Sequence, residues 1–99
     1  MARYLGLFEV DQTKIPLDPK ERGSLWLMMA NMVKQDMEKG ITKDWGAFVG
    51  ETIGYFVAEG TDTEVSLVCQ QYVPYISFKL HRVITVGEAA DIFKTMAGQ

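Results

Sequence analysis

The side chains best suited to proton transfer lie in one stretch near the C-terminus. Ser77, Lys79 and His81 alternate with three large apolar residues, which is the two-residue period of a strand and puts the three polar side chains on one face. His81 is the only histidine, and an unperturbed imidazole pKa of about 6.5 suits a general base. Lys79 would supply a neighbouring cation. We therefore take His81 and Lys79 as candidate catalytic residues, with a partly exposed, chemically idle histidine as the alternative.

A second set of residues is a candidate for ligand binding. Glu9 interrupts an apolar stretch, and a carboxylate partly removed from water there would have a raised pKa and could transfer protons. The alternative is a solvated strand end or an ion pair. Trp45 and Tyr55 lie in a mid-chain hairpin, and with Ser77 they are expected to line a mostly apolar pocket.

Composition excludes several classes of site and partner. Cys69 is the only cysteine, so an internal disulfide or a thiolate cluster cannot form, and a single histidine argues against a metal site. There is no phosphate loop, serine triad or nucleotide fingerprint, and we expect no cofactor. The net charge of -3, without a basic run, disfavours nucleic acid.

The chain also lacks the signals of secretion and membrane insertion. Its N-terminal apolar stretch is short and is interrupted by Glu9, unlike a signal peptide. No run approaches the ~20 apolar residues that cross a bilayer. These features predict a soluble cytoplasmic protein without a membrane partner, and 99 residues suit a single domain over residues 1–99.

Periodicity and capping signals predict the order strand, helix, strand, strand, helix, strand, short helix. The predicted segments are a strand at 4–10, a helix at 19–39 capped by Asp18, a hairpin at 43–60, a helix capped by Thr61 and ended by Pro74, a strand at 76–83, and a terminal helix capped by Thr85. This order indicates an α+β ferredoxin-like fold, β-α-β-β-α-β. It has a four-stranded antiparallel sheet, both long helices on one face and a short C-terminal helix.

The first predicted helix carries more apolar surface than one core contact needs. A core stripe accounts for Leu25, Met28, Met29, Met32 and Val33, whereas Trp26, Leu27 and Ala30 lie off it. Two explanations remain open. The loop at 11–17 could cover one end of the helix, or the extra surface could contact a second subunit or a ligand.

The helix-free face of the predicted sheet is expected to be an interface. The first strand is apolar on both alternate sets and the hairpin nearly so, and an exposed apolar face of this size marks an interaction surface. Two copies packed sheet against sheet about a two-fold axis would cover it. Within the hairpin, Gly46 and Gly54 are predicted to face one another and to admit an aromatic ring.

The chain from the first helix onward resembles the dimeric α+β barrel proteins, and within them the muconolactone isomerase-like group. The resemblance rests on Gly40, on Trp45 and the hairpin to Glu59, and on Tyr-Val-Pro-Tyr before the last strand. The chain also resembles small uncharacterised bacterial and archaeal proteins with Gly-Ile-Thr-Lys-Asp-Trp-Gly and Tyr-Val-Pro-Tyr segments. The resemblance implies a homodimer. The family includes isomerases, cofactor-free monooxygenases, and dechlorinating and haem-handling enzymes.

The sequence is therefore consistent with two functions. The first is a homodimer that binds a small aromatic or hydrophobic molecule, with cofactor-free isomerase or monooxygenase chemistry left open. The second is a non-catalytic interaction protein whose open sheet face serves assembly. A hollow between the sheets lined by Tyr55, Lys79 and His81 would favour the first. An interface filled by Phe8, Trp45 and Phe48 would favour the second.

Overall fold

The computed structural model describes residues 2–98 and contains the predicted elements in the predicted order. They are β1 (Ala2–Val10), α1 (Pro19–Glu38), β2 (Thr42–Ala47), β3 (Ile53–Gly60), α2 (Asp62–Gln70), β4 (Ile76–Val83) and α3 (Val86–Met96). A 3-10 turn at Gln12–Lys14 lies in the loop between β1 and α1. Within the described residues no helix is both long and apolar enough to cross a membrane.

The four strands form one antiparallel sheet in the order β2-β3-β1-β4. The α+β ferredoxin-like prediction is confirmed. In β1, Leu7 lies opposite Tyr55 on one side and Lys79 on the other, so these three side chains share the helix-free face. Phe8 lies opposite Gly54 and Phe78 on the face that the helices cover.

Local capping chemistry begins each helix where the sequence predicts it. The Asp18 carboxylate accepts a hydrogen bond of 3.0 Å from the Glu21 amide, which satisfies a free donor of the first turn of α1. Thr61 and Thr85 begin α2 and α3 with capping boxes, in which a glutamate three residues on returns a bond to the cap. These bonds fix the boundaries independently of tertiary packing.

The hairpin between β2 and β3 has a different register from the one predicted. It closes between Phe48 and Ile53, whose backbone N–H···O=C bond is 3.0 Å long. This even-numbered turn pairs odd-numbered residues with even-numbered ones, so Gly46 lies opposite Tyr55, and Gly54 opposite Ala47. The prediction that the two glycines face one another is wrong. Each instead makes room for an aromatic ring, that of Tyr55 over Gly46 and that of Phe8 over Gly54.

The core lies between the sheet and the first two helices. One buried cluster joins the sheet to α2 and contains Tyr4, Phe8, Phe56, Ala58, Val65 and Cys69. A second joins α1 to α2 through Met29, Val68 and Tyr72. Of the predicted stripe on α1, Met29 is buried and Met28 is exposed. Alpha-helical spacing thus identified the correct side of α1 but not its full extent.

The opposite face of the sheet is uncovered in the single chain. Leu5 and Leu7 at its centre are each 37% exposed. An ion pair between Arg3 and Glu59, 2.8 Å long, lies at one end of this face. The helix-free face therefore has the apolar centre that the two-sided strand pattern predicts.

The third helix lies away from the sheet and the other two helices. The chain has a radius of gyration of 16.6 Å and extends 61 × 25 × 19 Å, whereas a compact chain of this length has a radius of about 13 Å. Apolar residues of α3 are exposed: Val86, Ile92, Phe93 and Met96. This helix thus presents an apolar surface to solvent in the single chain.

Candidate functional site

A cavity of about 510 Å³ lies between α1 and the helix-covered face of the sheet. Its walls come from α1, from all four strands and from α2. They include Phe8, Val10, Trp26, Met29, Ala30, Val33, Trp45, Phe56, Val68, Cys69, Tyr72, Ile76 and Phe78. The walls are mostly apolar, and the cavity forms because α1 spans the sheet without filling the space beneath it.

One face of α1 provides the roof of this cavity. Arg22, Trp26, Met29 or Ala30, Val33 and Asp36 recur every three or four residues along it, which is the spacing of one helical face. Trp26 and Ala30, which lie off the predicted core stripe, therefore belong to the cavity wall. The loop at 11–17 contacts the first turn of α1 instead, where the Arg22 guanidinium donates to the Leu17 carbonyl at 3.2 Å.

Stacked aromatic rings form the floor. Trp45 lies parallel to Phe8, with ring centroids 5.5 Å apart and planes 12° apart. Phe78 meets Phe56 and Tyr72 edge to face, at 5.8 and 6.1 Å. Offset-stacked and edge-to-face contacts are the preferred geometries of neighbouring aromatic rings, so these rings support one another in the cavity wall.

The main ionisable group inside the cavity is Asp36, which sequence reasoning missed. Its side chain is only 3% exposed. The Tyr72 hydroxyl donates to one carboxylate oxygen at 2.7 Å, and the Gln71 side-chain amide donates to the other at 3.1 Å. The available signal was spacing, because Asp36 follows Met29 and Val33 on the same helical face. An acid in phase with an apolar stripe needs buried partners.

The neighbours of Asp36 are held in their protonated forms. Burial, with the nearby Asp36 charge, raises the pKa of the Cys69 thiol to about 11. Burial, followed by the hydrogen bond to Asp36, raises the pKa of Tyr72 well above its usual range. At neutral pH, Tyr72 is therefore a hydrogen-bond donor, and Cys69 behaves as a small apolar residue.

These shifts predict a loss of stability at alkaline pH. The unfolded chain releases the Cys69 proton near an ordinary pKa of 9.0, and the folded chain only near 11, so folding favours the protonated thiol. The stabilisation is complete below about pH 9 and is lost as pH rises towards 11, by up to about 2 to 3 kcal/mol. The raised pKa of Tyr72 likewise lowers the free energy of unfolding as pH rises. Urea unfolding in steps from about pH 8 to pH 11 measures the free energy of unfolding at each pH. In Cys69→Ala this free energy should fall less steeply with pH than in wild type. An identical fall in both proteins would contradict the assignment to Cys69.

The predicted catalytic residues lie on the other side of the sheet from the cavity. Ser77, Lys79 and His81 are exposed on the helix-free face, opposite Glu9, Leu7 and Leu5 respectively. Ser77 donates weakly to the Glu9 carbonyl, at 3.4 Å. The strand alternation thus groups these residues correctly on one face, but this face does not contain the cavity under α1.

Trp45 does not share a face with the other predicted ligand-binding residues. It lies opposite Phe56 and faces the helices, whereas Tyr55 faces away from them. The cause is the even-numbered turn of the hairpin, which joins odd positions of β2 to even positions of β3. On the open face the Tyr55 hydroxyl donates to Asp44 at 2.8 Å and its ring stacks with Phe48 at 6.4 Å.

The expected interface of Phe8, Trp45 and Phe48 is also divided by the sheet. Phe8 and Trp45 line the cavity, and Phe48 lies with Tyr55 on the other face.

No protein-family model matches the chain, and no curated protein matches it.

Proposed function

We propose that this protein binds a small aromatic or hydrophobic molecule in the cavity between α1 and the sheet. The observation that carries the proposal is the cavity of about 510 Å³ with a predominantly apolar wall. Small-molecule sites occupy about 300–1,000 Å³ and have mostly apolar walls with a few polar groups. Water in such a space finds few hydrogen-bond partners, so an apolar ligand that displaces it gains free energy.

If the protein is an isomerase or a cofactor-free monooxygenase acting in this cavity, its catalytic residues differ from those predicted from the sequence. Asp36 and Tyr72 would contact a molecule bound there. Lys79 and His81, on the opposite face of the sheet, would not. General acid–base catalysis requires hydrogen-bond reach of the reacting proton, and the cavity wall has two carboxylates, Asp36 and Glu51, so proton transfer there would fall to them.

A cavity-filling substitution tests the binding proposal. Ala30 lines the cavity and its neighbour Asn31 is exposed on α1, so Ala30→Trp and Asn31→Trp place the same side chain inside and outside. The neutral fluorophore N-phenylnaphthylamine serves as the probe, with its emission titrated against the protein. We expect wild type and Asn31→Trp to bind it, and Ala30→Trp to bind about tenfold more weakly or worse, because the indole occupies the space.

Two results would count against this function. One is no binding of the probe by wild-type protein, in emission or as a rise in melting temperature. The other is equal binding by Ala30→Trp and Asn31→Trp, which would place the probe elsewhere. Circular dichroism of both variants checks that each is folded.

A second proposal concerns assembly: we infer that the helix-free sheet face packs against a second copy of this chain. Leu5, Leu7 and Val57 form its centre, and the exposed apolar residues of α3 add to the surface that a single chain leaves in water. A self-complementary apolar surface of this kind favours a two-fold dimer. This assembly is compatible with the binding function, and by itself it would correspond to a non-catalytic interaction protein.

The charges on this face favour one arrangement of the two copies. Lys79 and His81 lie on β4 at one edge of the sheet, and Asp44 lies on β2 at the other edge. A two-fold axis parallel to the strands would lay the basic edge of each copy over the acidic edge of its partner. Opposite charges then face each other across the apolar centre.

Sedimentation velocity tests the dimer with a matched pair of variants. Leu7 lies at the centre of the face, whereas Leu17 is 94% exposed in the loop before α1. We expect wild type and Leu17→Glu to sediment as dimers at micromolar concentration. Leu7→Glu should shift to the monomer, because burying an unpaired carboxylate at an interface costs more than a small dimer can supply. A monomeric wild type, or a dimeric Leu7→Glu, would refute this interface.

A further inference from the structure

The cavity contains a buried carboxylate without a cationic partner. Asp36 is 3% exposed, and within residues 2–98 no lysine, arginine or histidine nitrogen lies within 4.0 Å of it. Lys39, one turn further along α1, is exposed. The two groups that do bond to Asp36, the Tyr72 hydroxyl and the Gln71 amide, are neutral. A buried charge compensated only by neutral donors is costly, and a bound cation would reduce that cost.

The Asp36 carboxylate also has unused acceptor capacity. An ionised carboxylate has about four lone-pair positions. Each oxygen accepts one protein hydrogen bond in this structure, one from Gln71 and one from Tyr72. At least one position on each oxygen therefore remains without a protein donor, and Asp36 belongs to the cavity wall.

The rest of the cavity suits the apolar body of a cationic ligand. Trp26, Trp45, Tyr72 and Phe78 line it, and aromatic faces attract ammonium groups. The cationic residue of the wall, Arg22, lies fourteen residues from Asp36 on α1, or roughly 21 Å along the helix. Its guanidinium is bonded to backbone carbonyls, so it leaves the field of Asp36 uncompensated.

We infer that the cavity selects a hydrophobic amine, with its ammonium group bonded to Asp36 and its aromatic or alkyl body between α1 and the sheet. This rests on the proposed binding function and adds the chemical class of the ligand. An anionic molecule of the same shape is repelled by Asp36 and binds more weakly. A neutral one gains the apolar contacts alone.

Three probes with one apolar body and different head groups test the inference: phenylbutylamine, phenylbutanol and phenylbutyrate, titrated by calorimetry into wild-type protein at neutral pH. We expect the amine to bind at least about tenfold more tightly than the alcohol, and the butyrate to bind most weakly. Asp36→Asn should remove most of the preference for the amine. The control is Asp44→Asn. Asp44 also accepts a hydrogen bond from a tyrosine hydroxyl, that of Tyr55, but it lies on the other face of the sheet, so this substitution should leave the preference unchanged.

The outcomes separate this inference from the binding function beneath it. Equal binding of amine and alcohol, or tighter binding of the butyrate, overturns the inference and leaves the cavity a neutral apolar site. A preference that persists in Asp36→Asn overturns it too. Failure of all three probes and of N-phenylnaphthylamine overturns both proposals. The wild-type ranking decides the matter even if Asp36→Asn does not fold.

Discussion

Replacing Phe56 with alanine is expected to lower the free energy of unfolding by about 3 to 5 kcal/mol. The ring is 4% exposed in the centre of the sheet. It lies over Gly6 of the neighbouring strand and meets Phe78 edge to face. Since Phe56 also borders the existing cavity, the space left by its ring would merge with that cavity and would not collapse. Urea unfolding followed by circular dichroism measures the loss.

The partner glycine, Gly6, provides a second test, because the cost of substituting it should depend on whether the Phe56 ring is present. A Cβ on Gly6 would overlap the Phe56 ring, so Gly6→Ala alone should cost about 1 to 3 kcal/mol or more. In the Phe56→Ala background the overlap is gone, and the same substitution should cost little. Val49→Ala, in the exposed hairpin turn, is the control and should stay within about 0.5 kcal/mol of wild type. Additive costs for Gly6→Ala and Phe56→Ala would contradict this packing.

Replacing Tyr72 with phenylalanine is expected to cost about 1.5 to 3 kcal/mol at neutral pH, because a buried carboxylate then loses a hydrogen-bond donor. The chain contains a matched control. Tyr55 donates to Asp44 at 2.8 Å, nearly the length of the 2.7 Å bond from Tyr72 to Asp36, but in an exposed position. Water can replace that donor, so Tyr55→Phe should cost less than about 0.5 kcal/mol.

Comparing the two tyrosine variants isolates the effect of burial on one type of hydrogen bond. Both substitutions remove a single hydroxyl from a tyrosine–aspartate pair, and urea unfolding gives both costs under one set of conditions. Equal costs would show that the Asp36 carboxylate is solvated in the folded chain. That result would also remove the basis for a ligand-directed charge in the cavity.

The order of elements and the boundaries of the helices could be predicted from the sequence because their signals are local. Asp18, Thr61 and Thr85 each bond to an amide three residues away, and a capping bond of this range depends on nothing distant. The two-sided apolar pattern of β1 likewise predicted apolar residues on both faces of the sheet, and Leu5 and Leu7 lie on the helix-free one. The alternation of Ser77, Lys79 and His81 placed these residues correctly on one face.

The site itself could not be predicted, because it depends on how the strands pair and how far α1 lies from the sheet. A shift of one residue in the pairing of β2 with β3 reverses the face on which a side chain lies. The observed pairing places Trp45 in the cavity wall and not on the open face. Asp36 and Tyr72 are far apart in sequence and meet only when α1 and α2 pack together. Local chemistry thus determined the elements of this protein, and only tertiary packing decided that a buried carboxylate and an aromatic wall enclose one cavity.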